Sequence, residues 1–578
     1  MTEPFLAQGK KATPLDPVWR TAVRAEAAVG EGGFAATAAF DVAAFFESLD
    51  WSLLRRRAVE EGFPLPILRM ALAMYAAPRH VGADGAVDGA WFPRRGIAPG
   101  CPWAMALAKL YVVGAFRRIA AQHQHAQLSV YVDDVVVAAE GQSAASVREI
   151  IVGAAADVLA AIPIDLHGQV AEEKSVIVAS TEQLAQQIRK DLQLPGEVAA
   201  VSAVFLGGEV ATGKPRKAWG GSAGRKVRQL KTKRRLHRVR AFRAAAGPQA
   251  ARIARTGLVP AAAHAADIFG VSEAELLALQ RMAAAAQTPS AQGRSLTALR
   301  LVRDDPAEEA AVAPLLRWCR EVWEAANTVR RAFTMPQLRS MWTRALPGKV
   351  WQWRDCRGPM SAAVLSARRL GWKCRGPFVL SDRSGVRLSL TSMSPGLLKK
   401  LAMQDWQRAT DVRLAARWKK GQWSWGDDDP NTLRLRPRNA DGGFAVEGDG
   451  VPSPPSAAVI REALKGSKLT AAEKGALAAV ATNAVWPRQR LAEARLASSG
   501  LCTLCGEDLD TVHHRAWSCP ASLAIRGELA TPAQVARARA AGTESPVATV
   551  ERRMATQTPQ TAAAPKRSEH DGLVARAR

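Results

Sequence analysis

Long apolar runs are missing from this 578-residue chain. None reaches the ~18 residues that a membrane-crossing helix needs, so no membrane-spanning segment is expected. The start, Met1 to Lys11, has no apolar core of the kind a secretory signal carries. Cysteine is scarce, seven residues and an odd number, which does not make a disulfide framework and points to a reducing compartment. No fixed-period repeat is found, which excludes solenoid and propeller arrays. Acidic residues are absent from one whole stretch: between Ala211 and Arg243 there are 13 Lys/Arg and no Asp or Glu.

What is present starts with charge. Lys and Arg number 79 against 53 Asp and Glu, a formal net charge of +26. A second basic stretch, Arg330 to Lys420, holds 20 Lys/Arg and 4 acids. The two stretches together carry +29, so the rest of the chain is at −3. Segregated charge of this kind points to a polyanionic partner, nucleic acid first and an anionic membrane surface second. Arg enrichment from GC-rich coding DNA is the plain alternative. Residues 330–425 also hold eight of the 17 Trp, namely Trp342, Trp351, Trp353, Trp372, Trp406, Trp418, Trp423 and Trp425. Arg interleaved with rings suits single-stranded nucleic acid, with bases stacked and phosphates neutralised. The same Trp read equally as the core of a small helical domain.

The apolar fraction, 48 %, is enough for real cores. Residues 35–210 alternate strand-like and helix-like runs. "AATAAFDV" and "LSVYVDDVVVAA" read as strands, while "RMALAMYAA", "PWAMALAKLYVVGAFRRIAAQ" and "SAASVREIIVGAAADVLAAI" read as helices. The expected class is α+β with an antiparallel sheet. Residues 1–34 are weakly patterned. Residues 211–329 open basic and continue helical, and 330–425 form the basic Trp-rich region. A Gly/Pro/Asp-rich linker is expected at 426–456, a helical segment with a Cys/His cluster at 457–529, and a disordered tail at 530–578.

Two places carry acids that need a chemical reason. Asp133 and Asp134 follow Tyr131-Val132 between two apolar halves, which predicts a hairpin with two carboxylates at its turn. Adjacent carboxylates repel, and a divalent cation would relieve this; an ordinary Asp-rich surface turn is the commoner explanation of such a pair alone. Asp41 ends the other strand-like run. If the two strands are neighbours, three carboxylates meet, and such a set holds two metals about 3.5–4 Å apart.

These elements in this order resemble the palm of reverse transcriptases, in particular those of non-LTR retrotransposons. Asp41 with Phe46 is similar to the first palm motif, whose aromatic residue acts as a steric gate. Arg95–Val112, "RGIAPGCPWAMALAKLYV", resembles the Gly-x-x-Gln-Gly-Cys-Pro segment and its helix, with Gly100 in the motif. Tyr131–Asp134 resembles the metal-binding Tyr-x-Asp-Asp hairpin, Lys174 stands where the family carries a lysine thought to protonate pyrophosphate, and Phe205-Leu206-Gly207 resembles the primer-grip hairpin. The resemblance implies a right-hand polymerase palm at 35–210 followed by a helical thumb at 211–329. It implies catalysis by Asp41, Asp133 and Asp134 with two Mg²⁺, and nucleotide contacts at Phe46, Gly100, Tyr131 and Lys174. The expected partners are an RNA template, a DNA primer and deoxynucleoside triphosphates. Arg225, Lys226, Arg228, Lys231, Lys233, Arg234 and Arg235 would grip phosphates. Two departures stand out: Pro99 occupies the Gln position, and residues 1–34 would be only a truncated remnant of the fingers or disordered. They favour a second reading, a decayed or domesticated relative that only binds nucleic acid. A group II intron maturase, which shares the palm, is a weaker third. No endonuclease or RNase H carboxylate set is recognisable, so target cleavage is expected from elsewhere.

Near the C-terminus, "CTLCGEDLDTVHHRAWSCP" sets Cys502, Cys505, His513, His514 and Cys519 within 18 residues. A Cys-x2-Cys knuckle followed by His and Cys fits one closed, structural Zn²⁺ with three thiolates and one imidazole. The cluster resembles the CCHC knuckle of non-LTR retrotransposon polyproteins, whose Thr-x2-His-x4-Cys spacing is met by Thr511, His514 and Cys519, which selects His514 over His513.

Overall fold

The computed structural model describes residues 6, 13–80, 82–84, 86–195, 199–200, 202–219, 223–246, 250–287, 296, 299, 305, 307–329, 332–419, 462, 464–466, 469–481, 485–511 and 514–522. The expected linker at 426–456, the tail at 530–578, His513, Trp423, Trp425 and the side chains of Arg225 and Trp418 lie outside the described residues. The architecture is mixed α+β. Among the described residues no helix is long and apolar enough to cross a membrane. The chain divides into two compact units, residues 1–232, 261–272 and 309–402 in one, and 233–260, 273–308 and 403–578 in the other.

The first unit is built on a five-stranded sheet. β1 (Phe34–Asp41) is its middle strand, antiparallel to β5 (Asp134–Gly141) on one side and to β6 (Val176–Ala179) on the other. β4 (Gln127–Tyr131) pairs with β5 as a hairpin, and β7 (Ala199–Ala200) lies parallel to β6 at the far edge. All but the first residue of β1 are buried, so both faces of the strand are covered. That explains its run of small apolar residues, where a half-exposed strand would alternate.

Helices α1 (Leu15–Gly30) and α6 (Ala144–Asp165) pack against β1 and β5. Then α3 (Trp51–Glu60), α4 (Leu65–Ala76) and α5 (Ala104–Gln122) extend the same core, whose centre includes Leu54, Leu107, Phe116 and Ile151. Start signals are local. Asp50 caps α3 by accepting from the Leu53 N–H at 2.7 Å, and Ser143 caps α6 by accepting from the Ser146 N–H at 3.1 Å.

Residues 15–30 lie within the stretch expected to be a remnant of the fingers or disordered. They form a helix whose Trp19 is fully buried against Trp318 and Phe333, each at 6.3 Å between ring centroids. Asp16 pairs with the buried Arg317 at 2.5 Å. Glu26, on the same helix, caps the helix Pro359–Arg369 from outside: its carboxylate accepts the backbone N–H groups of Met360 at 2.7 Å and Ser361 at 2.8 Å. A carboxylate at a helix N-terminus is favoured by its free donors. Burial nevertheless raises the Glu26 pKa to about 7 against those hydrogen bonds.

Part of the basic Trp-rich stretch is core. Trp372 and Trp406 are buried, as the core reading of these residues expects. Trp342 lies 5.0 Å from Trp318. Arg368 and Arg369 lie over Trp351 and Trp353, with guanidinium carbons 3.7 and 4.7 Å from the ring centroids, while Trp351 stays 53 % exposed.

In the second unit, the described part is helical around Glu273–Gln287 and ends in a small Cys/His module at 485–522. Helix α8 (Ala223–Ala246) begins in the first unit and continues into the second.

Candidate functional site

The register of the sheet sets the carboxylates. Asp41 at the end of β1 is the direct cross-strand partner of Asp134 at the start of β5. Asp133 lies in the two-residue turn joining Tyr131 to Asp134, and its carbonyl accepts the Val42 N–H at 3.1 Å. The backbone of Asp41 is fixed in turn, its carbonyl accepting the Ala171 N–H at 2.8 Å. The strand pairing that sequence could only assume is therefore present. In the turn, Val132 adopts φ +61°. A β-branched residue in that region is strained, and strain of this kind persists where the surroundings over-determine it. Ala44, three residues past Asp41, is left-handed as well, at φ 45°.

The electrostatics are those of crowded like charges. Burial first, then the charges of Asp133 and Asp41, raise the Asp134 pKa to about 7. Burial is also the main cause raising Asp133, and the Asp41 charge adds to it. Lys174 is the local compensation. Its Nζ donates to Asp41 Oδ2 at 2.8 Å, and this hydrogen bond, with the Asp41 charge, raises the lysine pKa. The Lys174 ammonium is mostly solvent-exposed while Asp41 is nearly buried.

Three carboxylates offer the hard oxygen donors that a Mg²⁺ ion takes. They do not close into a tight ligand set: among the described residues, only the Cys/His cluster brings three or more such ligand atoms all within 4.8 Å. The Lys174 ammonium stands on Asp41 where a cation would compete.

Around this centre, Phe46 is partly buried edge-on to Phe45 at 5.6 Å, and its carbonyl accepts the Ile97 N–H at 2.8 Å. That bond ties the 96–100 segment to the Phe46 helix. Gly100 has φ +84° and open space where a side chain would sit, so its backbone conformation and not crowding selects glycine. Tyr131 is half-buried opposite Asp134. Phe205-Leu206-Gly207 forms a hairpin between β8 (Ala203–Phe205) and β9 (Gly208–Val210), turned through positive φ at both Leu206 and Gly207.

Arg228, expected to grip phosphate, donates to the carbonyls of Gly207 and His264 and so fastens that hairpin. His264, which sequence reading did not single out, lies against the same glycine: a Cβ on Gly207 would meet its Nε2 at 2.7 Å. Lys226, Lys231, Lys233, Arg234 and Arg235 are exposed along α8.

The second centre is the Cys/His module. The ligand atoms of Cys502, Cys505, His514 and Cys519 all lie within 4.8 Å of one another. Cys502 Sγ is 3.9 Å from Cys519 Sγ, and Cys505 Sγ is 3.3 Å from His514 Nε2. A tetrahedral Zn²⁺ with ordinary bond lengths implies edges of about 3.8 Å and about 3.6 Å for these pairs. The donors thus fit such an ion, with His514 as the imidazole among the described residues.

The surroundings orient the ligands. The Leu504 N–H points at Cys502 Sγ at 3.4 Å, and His514 Nδ1 faces Asp508 Oδ2 at 3.5 Å. Buried Asp510 ties the module together by accepting from Arg515 and from the Arg488 N–H at 2.6 Å. The backbone N–H of Asp508, followed by that of Glu507, brings the Cys505 pKa down to about 7, toward the thiolate that binds metal.

No family model matches this chain, and no curated protein matches it either.

Proposed function

We propose that the chain is an RNA-directed DNA polymerase of the non-LTR retroelement type, which extends a primer 3′-end on an RNA template. The observation that carries the reading is the direct cross-strand pairing of Asp41 with Asp134, beside Asp133 and capped by Lys174. Crowded carboxylates with raised pKa values are costly for the fold, and a divalent cation would remove that cost. Asp41, Asp133 and Asp134 would hold two Mg²⁺, which supply activation of the 3′-hydroxyl and neutralise charge on the triphosphate.

The chain's own residues do the rest. Phe46, held against Phe45, faces the incoming sugar as a gate. The Gly100 turn shapes the floor of the nucleotide site, and Tyr131 braces the hairpin. Lys174, which pairs with Asp41 beside the other two carboxylates, would give its proton to the departing pyrophosphate. The hairpin at 205–207, fastened by Arg228, positions the primer end, and the exposed face of α8 neutralises template–primer phosphates.

One observation favours the alternative, a nucleic-acid-binding relative without catalysis. The three carboxylates do not bring their oxygens all within 4.8 Å of one another, and Asp41 already has its counter-ion in Lys174. Calorimetric titration with Mg²⁺ separates the two. The polymerase reading expects binding that disappears in Asp41→Asn, whereas the binding-only reading expects no Mg²⁺ uptake by either protein.

A further inference from the structure

The segment between α4 and α5 carries an exposed aromatic pair whose surroundings differ from the rest of the first unit. Trp91 and Phe92 are 60 % and 61 % exposed, adjacent in sequence, and apolar groups of this size are usually covered. They do not hang on a free loop. Trp91 and Arg79 exchange both backbone hydrogen bonds at 2.9 Å, and the Arg79 guanidinium lies 5.8 Å from the Trp91 ring centroid. Four residues on, the Gly96 N–H donates to the Leu49 carbonyl at 2.8 Å, and the Gly96 carbonyl accepts from Trp51 Nε1 at 2.7 Å. The Ile97 N–H binds Phe46, so the root of the segment is anchored five residues past Asp41.

The charge around the pair is equally distinctive. Arg57, Arg117, Arg118 and Arg148 of this unit each hold a carboxylate within 2.8 Å. Arg79, Arg94 and Arg95 are exposed, and among the described residues none has a carboxylate partner. The segment also holds two acids: Asp88, whose carboxylate accepts the Gly89 N–H at 2.7 Å, and Asp84, at φ 49° in the turn, so Arg79, Arg94 and Arg95 outnumber them. Next to the root, a groove of about 550 Å³ between α3 and α4 adds Arg55 and Arg69, with Trp51 on its wall.

We propose that Arg79 and the Trp91–Arg95 stretch dock a single-stranded nucleic-acid segment, with bases stacked on Trp91 and Phe92 and phosphates on Arg79, Arg94 and Arg95. Rings hold bases without regard to sequence, and unpaired guanidiniums beside them supply the counter-charge. A duplex hides its base faces and has no use for the rings. The inference rests on the nucleic-acid partner of the proposed function and not on its chemistry.

The test is fluorescence anisotropy of the full-length protein with labelled oligo(U), oligo(dT) and a duplex, across a salt series. Trp91→Ala/Phe92→Ala is expected to weaken both single strands about tenfold or more, with the salt slope and the duplex affinity unchanged. Arg94→Gln/Arg95→Gln is expected to flatten the single-strand slope by about 1.4, about 0.7 for each phosphate left without its arginine. Trp91→Phe/Phe92→Tyr keeps the rings and is expected to bind as wild type, which separates stacking from misfolding. Loss confined to oligo(U) would assign the site to RNA and still supports it. Wild-type affinity in the double alanine variant overturns it, as does equal loss on single strand and duplex, or absence of single-strand binding by the wild type. A protein that binds single strands here but extends no primer keeps this inference and loses the catalytic reading.

Discussion

Glu26 is the residue whose titration bears most directly on the fold. Its carboxylate is fully buried, and burial lifts its pKa to about 7 from the ordinary value of 4.5. The folded state therefore holds the proton more tightly than the unfolded chain. Its contribution to stability is fully present below about pH 4.5 and is lost as pH rises through about 7, where the group ionises inside the protein. Glu26→Gln keeps an oxygen for the Met360 and Ser361 N–H groups and removes the charge. The variant is expected to unfold at higher denaturant than wild type at pH 8, by about 1–3 kcal/mol, and to lose that advantage near pH 5. An unchanged difference across that range would show that Glu26 does not titrate with folding.

Legibility at this scale follows chain distance. Asp41, Asp133 and Asp134 stood out because their neighbours carry strand signals and because adjacent acids lack a structural excuse. Glu26 was invisible because its partners lie 334 and 335 residues away. The same holds for His264, whose contact with Gly207 crosses the chain.

Among elements, the Cys/His module was read almost completely from spacing. Four ligands in 18 residues leave few ways to close, and the structure closes them on His514. The purified protein is expected to contain one zinc per chain by elemental analysis. Cys505→Ser is expected to abolish that content and to expose residues 485–522 to protease, because structural zinc supplies the folding energy of so small a module.

Helix α8 was legible as a basic segment. Its internal use of Arg228 was not, since a guanidinium bound to carbonyls looks the same in sequence as one awaiting phosphate. Replacing Lys231, Lys233, Arg234 and Arg235 by Gln is expected to reduce the salt slope of duplex binding by about 0.9 for each phosphate that the wild-type helix neutralises there. A wild-type slope would remove α8 from the interface. Helix α1 was missed because it is covered by residues from beyond position 300: Trp19 meets Trp318 and Phe333, partners that no local pattern announces.

At the scale of the whole molecule, the charge segregation seen in sequence divides into two fates. Part of the basic excess is structural, with Arg368 and Arg369 laid over Trp rings and Arg369 donating to the carbonyls of Ala311 and Val271. Another part faces solvent, on α8 and at Lys349, Arg354, Lys373, Arg387 and Lys400. Net charge therefore points to a polyanion, while only the surface arginines identify where it would lie. The 330–402 stretch, set apart in sequence by composition, belongs to the same compact unit as the sheet that carries the carboxylates.

The central claim is that those carboxylates perform nucleotidyl transfer, and primer extension on an RNA template with Mg²⁺ and deoxynucleotides tests it most directly. The comparison is wild type against Asp133→Asn/Asp134→Asn. Asp134 is held at about pKa 7 by burial and like charge, so removing that charge is expected to leave the melting temperature at pH 8 unchanged or higher. A loss of extension would then be chemical and not a folding defect. The account predicts extension by the wild type and a fall of about a hundredfold or more in the variant. Equal extension by the two proteins, or none by a folded wild type, would contradict it.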